Sequence, residues 1–462
     1  ARTVHWTVRL VRILRANPPV SEALRSVAEM KGDHMTVKIG LVGTGTVGCG
    51  CLEVLKNHRD DFKRHFGVDV ELTRVCSRRS VQAEAYGLAD IYTSDYRDIT
   101  GDPSIDIVIE LIGGTTVAHD VVCDALRAGK HVVTANKALM ATYGEEIMGL
   151  ADEMGCEIAF EASVGGGIPI IGPMKHSLIA NRIDSVMGIV NGTTNYMLTQ
   201  MVDEGIGYEE ALAEAQEKGY AEADPTADVD GLDAAAKIAI LASIAFNSRV
   251  TLDDVHAEGI RRITTTDLDA AHDMGYCVKL LAIAHRTDEG VDVRVHPTMI
   301  PANHQLAAVN GAFNAIYVTG DAVGETMFFG QGAGSGPTAS AVMGDVLEVA
   351  RHVELGCGPI VGCTCTDGLP IIPMENLHTK YYIRFTVADR AGVLAAMATV
   401  FAQHNVSVHS VVQRGVKNSD EVYIVYVTHT ACEKDIREVL ADIAKLDDVL
   451  RDEPNVIRVE DR

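Results

Sequence analysis

Polar and apolar positions change period along the chain, and each change predicts an element boundary. From Thr36 a short β-branched apolar run, TVKIGLVG, enters a glycine turn and then a helical pattern reaching Leu55. VELTRVCS at 70–77 predicts the next strand. DIVIELIGG at 106–114 predicts a buried parallel strand ending in a glycine turn, and KHVVTANKALMA at 130–141 supplies another. EASVGGGIPII at 161–171 reads as strand-like and then glycine-rich. DSVMGIVNGTTNYMLTQM at 184–201 reads as a strand running through Asn191-Gly192-Thr193-Thr194 into a helix. A helix is predicted from Leu232 to Phe246, with Asp228 or Asp230 as its cap after the irregular approach marked by Gly219 and Pro225. The glycine-rich stretch GQGAGSGPTASAV at 330–342 leads into a helix reaching Val353. Residues 354–379, with their Gly, Pro and Cys, read as a linker. Beyond it a strand, a turn at Asp389–Gly392, an amphipathic helix, two strands, a helix over Glu433–Leu446 and a last strand at Asn455–Val459 give a β-α-β-β-α-β order.

The chain has 462 residues, of which 47% are hydrophobic, enough for two or three domains. Its net charge of −24 argues against a general nucleic-acid binder, so an anionic ligand must meet a local Arg or Lys cluster. No stretch of eighteen uncharged apolar residues is present, so no membrane span is expected and the reading is a soluble, cytoplasmic protein. Ten cysteines lack zinc-site spacing even where close, as at Cys49/Cys51 and Cys363/Cys365, and read as reduced thiols. In residues 1–34, Arg2, Arg9, Arg12, Arg15 and Arg25 outnumber the acids. That suits a transit peptide or an extension ahead of a fold that starts after Met35, the second being the preferred reading.

Gly43-x-Gly45-x-x-Gly48 between a strand and a helix is the arrangement that lets a backbone approach a pyrophosphate at a helix N-terminus. Where an NAD-specific fold places an acid after the second strand, Arg78-Arg79 stand instead, which suits a 2′-phosphate. Lys137 follows a strand end, either as a surface lysine or facing the ligand crevice. The turn at Gly192-Thr193-Thr194 either holds a carboxylate or is a plain cap. Asp233 and Lys237 share a helix face. Between Ala234 and Phe246 every other position except Ser243 is apolar, the pattern of a buried helix rather than a solvated ion pair. Such a lysine can protonate the alkoxide left when hydride reaches a carbonyl, with the aspartate holding it.

Taken together, GLVGTGTVG, IELIGG, VVTANKALMA, FEASVGGGIPII, IVNGTTNYML, GYAEADPTADVDGLDAAAKI and GQGAGSGPTASAV resemble homoserine dehydrogenase, in family order from Met35 to Val353. The resemblance implies interconversion of aspartate 4-semialdehyde and homoserine with NAD(P)H; Arg78-Arg79, where members often carry Arg-Asp or a similar mixed pair, favour NADP(H), NAD(H) remaining open. It implies Lys237 and Lys137 at the reacting carbonyl with Asp233 beside Lys237, Glu222 at the substrate amino group supported by Asp228, and Gly192 and Thr193 at the carboxylate. The expected cofactor contacts are Gly43, Thr44, Gly45, Thr46, Val47, Gly48, Arg78, Arg79, Gly113, Lys137 and Gly334. A monovalent cation, Na+ or K+, is implied at Glu161, Val164, Gly166 and Ile168, chiefly on backbone oxygens.

The implied architecture is α/β: a Rossmann-type domain over 35–160 plus 331–353, an inserted α+β substrate and dimerisation domain over 161–330, and a ferredoxin-like module over 380–462. Tyr381–Gln413 resembles an ACT domain, a family that binds free amino acids, so the module is expected either to sense threonine by pairing with a copy in another subunit or to serve dimerisation without a ligand. The family further implies a homodimer or homotetramer. Two rival readings are a related semialdehyde dehydrogenase and a catalytically silent amino-acid sensor.

Overall fold

The computed structural model describes residues 35–358, 362–415 and 420–461; the expected extension over 1–34 lies outside them. Six strands, β1 (Thr36–Val42), β2 (Asp69–Cys76), β3 (Tyr92–Thr93), β4 (Ile107–Glu110), β5 (His131–Thr134) and β6 (Ile158–Ala159), form one sheet. Its spatial order is 3-2-1-4-5-6 and every pairing is parallel, the doubly wound dinucleotide-binding arrangement. The strand crossovers carry α1 (Thr46–Asp61), α2 (Thr116–Arg127) and α3 (Lys137–Met154). The chain returns to this sheet much later: Val342, Met343, Val346 and Val349 of a helix over Ser335–Leu355 share one core with Val37, Ile39 and Leu41 of β1. Only glycine fits at position 50, since a Cβ there would lie 2.6 Å from the Ser335 carbonyl oxygen and 2.9 Å from the Ala339 methyl.

The expectation of a strand near Glu161 is corrected. Glu161–Ser163 is a 3-10 turn, and Gly165 and Gly166 follow with positive φ. Two left-handed residues in succession cannot continue a strand. Beyond lie β7 (Ile183–Ile189), α4 (Gly192–Asp203), α5 (Tyr208–Glu217), α6 (Leu232–Ala245), β8 (His256–Ala257) and α7 (Thr265–Asp273). They are followed by β9 (Tyr276–Arg286), β10 (Val291–Pro301), β11 (Phe313–Gly320) and β12 (Gly324–Gln331), and then by the returning helix, α8 (Ser335–Leu355). The α6 cap expectation is also corrected: Gly231, with φ of 82°, occupies the cap and no side chain serves it. Thr226–Val229 forms a separate short turn that keeps Asp228 off the helix end.

The C-terminal module contains β13 (His378–Ala388), α9 (Val393–Gln403), β14 (Val408–Gly415), β15 (Glu421–Thr428), β16 (Ala431–Cys432), α10 (Glu433–Ile443) and β17 (Asn455–Val459). Its four main strands run β17-β13-β15-β14, all antiparallel. The sequence pattern carried no sign of what joins it to the rest. β17 pairs in parallel with β10 through Thr298 with Arg458 and Met299 with Val459, so a single sheet runs β12-β11-β7-β9-β10-β17-β13-β15-β14. The expected linker is itself pinned: Pro370 accepts from the Val291 N–H and Ile372 donates to the Val291 carbonyl, each at 2.8 Å.

The seam is ionic and buried. Asp267, fully buried on α7, accepts from Arg384 Nε at 2.6 Å and Nη2 at 3.0 Å, Tyr382 Oη at 3.0 Å and Asn455 Nδ2 at 2.7 Å. Arg458 of β17 donates to Glu258 at 2.8 Å and to Glu433 at 2.7 and 2.9 Å. Burial alone would raise the Asp267 carboxyl, but the Arg384 guanidinium and the further donors outweigh it and hold it below its ordinary value.

Asp267→Ala leaves a buried guanidinium unpaired and is expected to cost about 3–5 kcal/mol in denaturant unfolding. Because the Asp267 value is depressed by folding, its contribution is present above the unfolded carboxyl pKa of about 3.9 and is lost as pH falls through the lower folded value. An acid unfolding midpoint that is the same in the Asp267→Ala variant and the parent would contradict this.

Candidate active site

The nucleotide loop is built by steric exclusion. A Cβ on Gly43, whose φ is 110°, would meet the Leu111 carbonyl at 2.7 Å, and one on Gly48 would meet the Gly43 carbonyl at 2.1 Å. Gly45 has open space on its exposed side, which leaves the first turn of α1 accessible. Thr44 is buried, Gly45 and Thr46 are exposed, and Val47 packs into the core below. No side chain caps α1 at Gly45 or α8 at Gly334, and neither first turn carries an acid. Ser335 Oγ donates to the Thr46 carbonyl at 2.8 Å and ties the two helix starts together. Two N-termini without side-chain caps thus lie side by side, the kind of arrangement that suits an anion.

Gly113 is exposed with a φ of 71°. Its loop is organised by Glu110, a fully buried residue that sequence reasoning missed. Glu110 accepts from the N–H groups of Ile112 at 2.8 Å and Gly113 at 3.3 Å and from the Thr134 hydroxyl at 2.7 Å. Arg78 and Arg79 stand exposed after β2, and among the described residues neither guanidinium has an ion-pair partner.

Lys137 is the first residue of α3, capped by Asn136, which also donates to the Gly114 carbonyl at 2.6 Å. From there Lys137 Nζ reaches Asp233 Oδ1 at 2.5 Å, while Lys237 Nζ donates to Asp233 Oδ2 at 2.7 Å and to the Val190 carbonyl at 2.5 Å. One carboxylate thus joins a lysine of the parallel-sheet half to a lysine of α6. The Lys137 side chain is 43% exposed and that of Lys237 10%. The first is half-exposed, and the second is buried beneath Asp233.

Asn191, which sequence reasoning quoted without a role, completes the cluster. Its carboxamide accepts from the Thr194 N–H at 2.9 Å, capping α4, and donates to Asp228 at 2.7 Å and Asp233 at 2.9 Å. A residue that both caps a helix and holds two acids leaves only the ordinary cap signature in sequence. Gly192 sits where a Cβ would lie 2.7 Å from the Ala312 carbonyl. Thr193 donates to the Tyr220 carbonyl at 2.5 Å and so anchors the loop bearing Glu222. The structure brings Lys137, Lys237, Asp233, Asp228 and Asn191 into direct contact. Glu222 stands apart, exposed, with its carbonyl accepting from Gln216 at 3.0 Å.

Burial of Asp233 works against its ionisation, yet the two ammonium groups prevail and hold its carboxyl well below the usual range. Burial lowers Lys237, an effect Asp233 partly offsets, which makes its ammonium a better proton donor than a solvated one. Burial raises Asp228, which lies beside the Asp233 charge. For the expected cation segment, both Glu161 carboxylate oxygens are occupied, by the N–H groups of Ile170 and Ile171 at 2.6 and 2.8 Å and of Gly172 at 2.6 Å. Its carbonyl lies outside that cradle and accepts from the Val164 N–H at 3.4 Å.

A dinucleotide-type parallel sheet joined through a lysine–aspartate–lysine bridge to a second domain points to a pyridine-nucleotide-dependent oxidoreductase. Residues 43–161 match the family described as homoserine dehydrogenase, NAD binding domain, residues 169–347 match homoserine dehydrogenase, and residues 381–448 match the ACT domain. The homoserine dehydrogenase of Synechocystis is 45% identical over 92% of this chain and all of its own length. That of Bacillus subtilis is 42% identical over 92% of this chain and 98% of its own. The crystal structure of a homoserine dehydrogenase from Thiobacillus denitrificans superposes with a TM-score of 0.87 at 42% identity, covering 92% and 99% of the two chains. A hyperthermophilic archaeal homoserine dehydrogenase in complex with NADPH superposes with a TM-score of 0.59 at 28% identity, over 69% of this chain and 98% of that one. The chain belongs to the homoserine dehydrogenase family and is an enzyme of that kind, with an NAD(P)-binding domain and a C-terminal ACT domain. The rival sensor and semialdehyde dehydrogenase readings are not favoured. Among the described residues no helix is long and apolar enough to cross a membrane, and all ten cysteines are free.

Lys237→Ala is expected to lower turnover by about 10²–10⁴-fold while nucleotide affinity changes little, since its interaction grows as negative charge develops. Equal losses in turnover and nucleotide affinity would contradict that placement. Because burial lowers the Lys237 ammonium, aldehyde reduction should decline on the alkaline side below the ordinary lysine pKa of about 10.4, read as the upper limb of kcat against pH.

Proposed function

We propose that this enzyme reduces aspartate 4-semialdehyde to homoserine, and runs the reverse step, with NADP(H) preferred and NAD(H) usable. The Asp233 bridge carries the reading, since it sets two lysine ammonium groups at the end of the nucleotide crevice. When bound, the nicotinamide supplies or accepts the hydride. Lys237 and Lys137 donate hydrogen bonds to the aldehyde oxygen, and Lys237, at the floor, hands over the proton that turns the alkoxide into an alcohol. Asp233 keeps both ammonium groups oriented. The uncapped starts of α1 and α8 hold the pyrophosphate, with Thr44, Gly45 and Thr46 at α1, Gly334 at α8 and Gly113 opposite, while Arg78 and Arg79 take the 2′-phosphate.

The substrate carboxylate meets the N–H groups of Gly192 and Thr193, because Asn191 takes up only the Thr194 N–H. Its amino group is held by Glu222, through movement of the Thr193-anchored loop, with Asp228 in support. Carbonyl oxygens of Glu161, Val164, Gly166 and Ile168 bind a monovalent cation, for which the left-handed turn at Gly165-Gly166 provides the curvature. The proposed division is 35–160 plus 331–353 for the nucleotide and 161–330 for substrate and dimer contact, in a homodimer or homotetramer. The ACT module over 380–462 responds to threonine, and the ten free thiols fit a cytoplasmic setting.

Purified protein assayed with aspartate semialdehyde tests the reading. Turnover should be faster at equal low concentrations of NADPH than of NADH, and millimolar threonine should depress it. Arg78→Ala with Arg79→Ala should raise KM for NADPH by about tenfold or more and leave that for NADH within a few-fold, from the loss of charged hydrogen bonds. An unchanged ratio of the two KM values would remove the arginines from the 2′-phosphate site.

A further inference from the structure

One to three turns along from Lys137 and Lys237, the helices that carry them enclose a cavity of about 130 Å3 together with the linker to the C-terminal module. Its walls are apolar: Met140 and Met148 of α3, Ile240 and Ile244 of α6, and the buried Phe160 and Val250. Exposed Glu145, Arg249 and Cys363 stand at its rim. Apolar cavities of about 150 Å3 take up a molecule the size of benzene, so this one has room for a compact hydrocarbon body.

Of the three charged side chains on the wall, two satisfy each other, Arg249 pairing with Glu145 at 2.5 Å. The third, Lys175, sets its Nζ 5.8 Å from the centroid of the Phe160 ring and, among the described residues, makes no hydrogen bond or ion pair. The carboxylates whose charge acts on it, Glu157 and Glu348, lie beyond ion-pair reach and are engaged by His352 at 2.8 Å and His176 at 3.7 Å. Burial lowers the Lys175 ammonium. A half-buried cation without a counter-charge, set over an apolar hollow, is the complement of an anion with an apolar body.

We propose that this cavity binds a small monocarboxylate with an apolar body of about six or seven carbons, its carboxylate on Lys175 and its body between α3 and α6. Among the described lining residues no carboxylate is free to receive an α-ammonium group, because Glu145 is taken by Arg249. Amino acids are therefore poor occupants, their ammonium being desolvated without a partner. The occupant touches the helix that starts with Lys137, the helix that holds Lys237 and the linker that is pinned to Val291. Binding therefore adds to the stability with which these three parts are held together.

Titration calorimetry of the full-length protein with benzoate tests this. One saturable site per chain is expected, with a raised unfolding temperature in the bound state. Lys175→Met should weaken binding by about tenfold or more and Lys175→Arg by no more than about threefold, while benzylamine and phenylalanine should bind at least about tenfold more weakly than benzoate. A Cβ on Gly144 of α3 has only Met140 Cε within reach, at 4.0 Å. Gly144→Leu should therefore fill the hollow and abolish benzoate binding with an unchanged circular dichroism spectrum. Absence of saturable heat in the millimolar range overturns the proposal, as does benzoate binding that survives in Gly144→Leu. Binding that homoserine displaces and Lys175→Met leaves unaltered assigns benzoate to the turn at Gly192-Thr193 and overturns it too.

Discussion

The Asp233 carboxylate is the constraint on which the arrangement depends. It is buried, so its charge is tolerable only while both flanking ammonium groups and the Asn191 amide stay in place. Those partners come from three directions: the start of α3 on the parallel sheet, the second turn of α6, and the end of β7. Electrostatics at one carboxylate therefore fixes the relative position of elements separated by a hundred residues. The largely apolar α6 follows from the same need, because a solvated helix would screen the bridge that holds the lysines.

Loop geometry on the α1 side keeps the start of that helix without a side-chain cap. Gly43 and Gly48 are excluded from carrying side chains by the Leu111 and Gly43 carbonyls, and Ser335 brings a second helix start alongside. Glu110 does the converse for the opposite loop by consuming the N–H groups of Ile112 and Gly113, which freezes that loop's shape. A rigid wall and an open donor surface thus face each other across the site.

Much of this was legible because it is local. A strand, a spaced glycine motif and a helix lie next to one another in the chain, and an apolar helix with a lone lysine shows itself in a dozen residues. What escaped was written in backbone atoms or in distant partners. The Val190 carbonyl under Lys237 has no residue signature, and Asn191 looks like any cap. Glu110 reads as one acid in an apolar strand. The strand expectation near Glu161 failed because β-branched and apolar residues there sit in a turn enforced by two left-handed glycines. The β10–β17 junction was invisible for another reason: two registered residue pairs decide it, and no period in either segment points to the other.

That junction has a consequence for how the chain is made. β10 is complete long before the ribosome reaches β17, so at Thr298 and Met299 its backbone is paired with β9 on one edge while the other edge waits for its neighbour during synthesis. Arg294, buried in the finished fold against Glu460, is equally without that counter-charge until then. A nascent chain carrying an open strand edge and an interior cation that has Asp292 but not yet Glu460 is a target for holding chaperones and for wrong edge pairing. β17 is the strand that closes both.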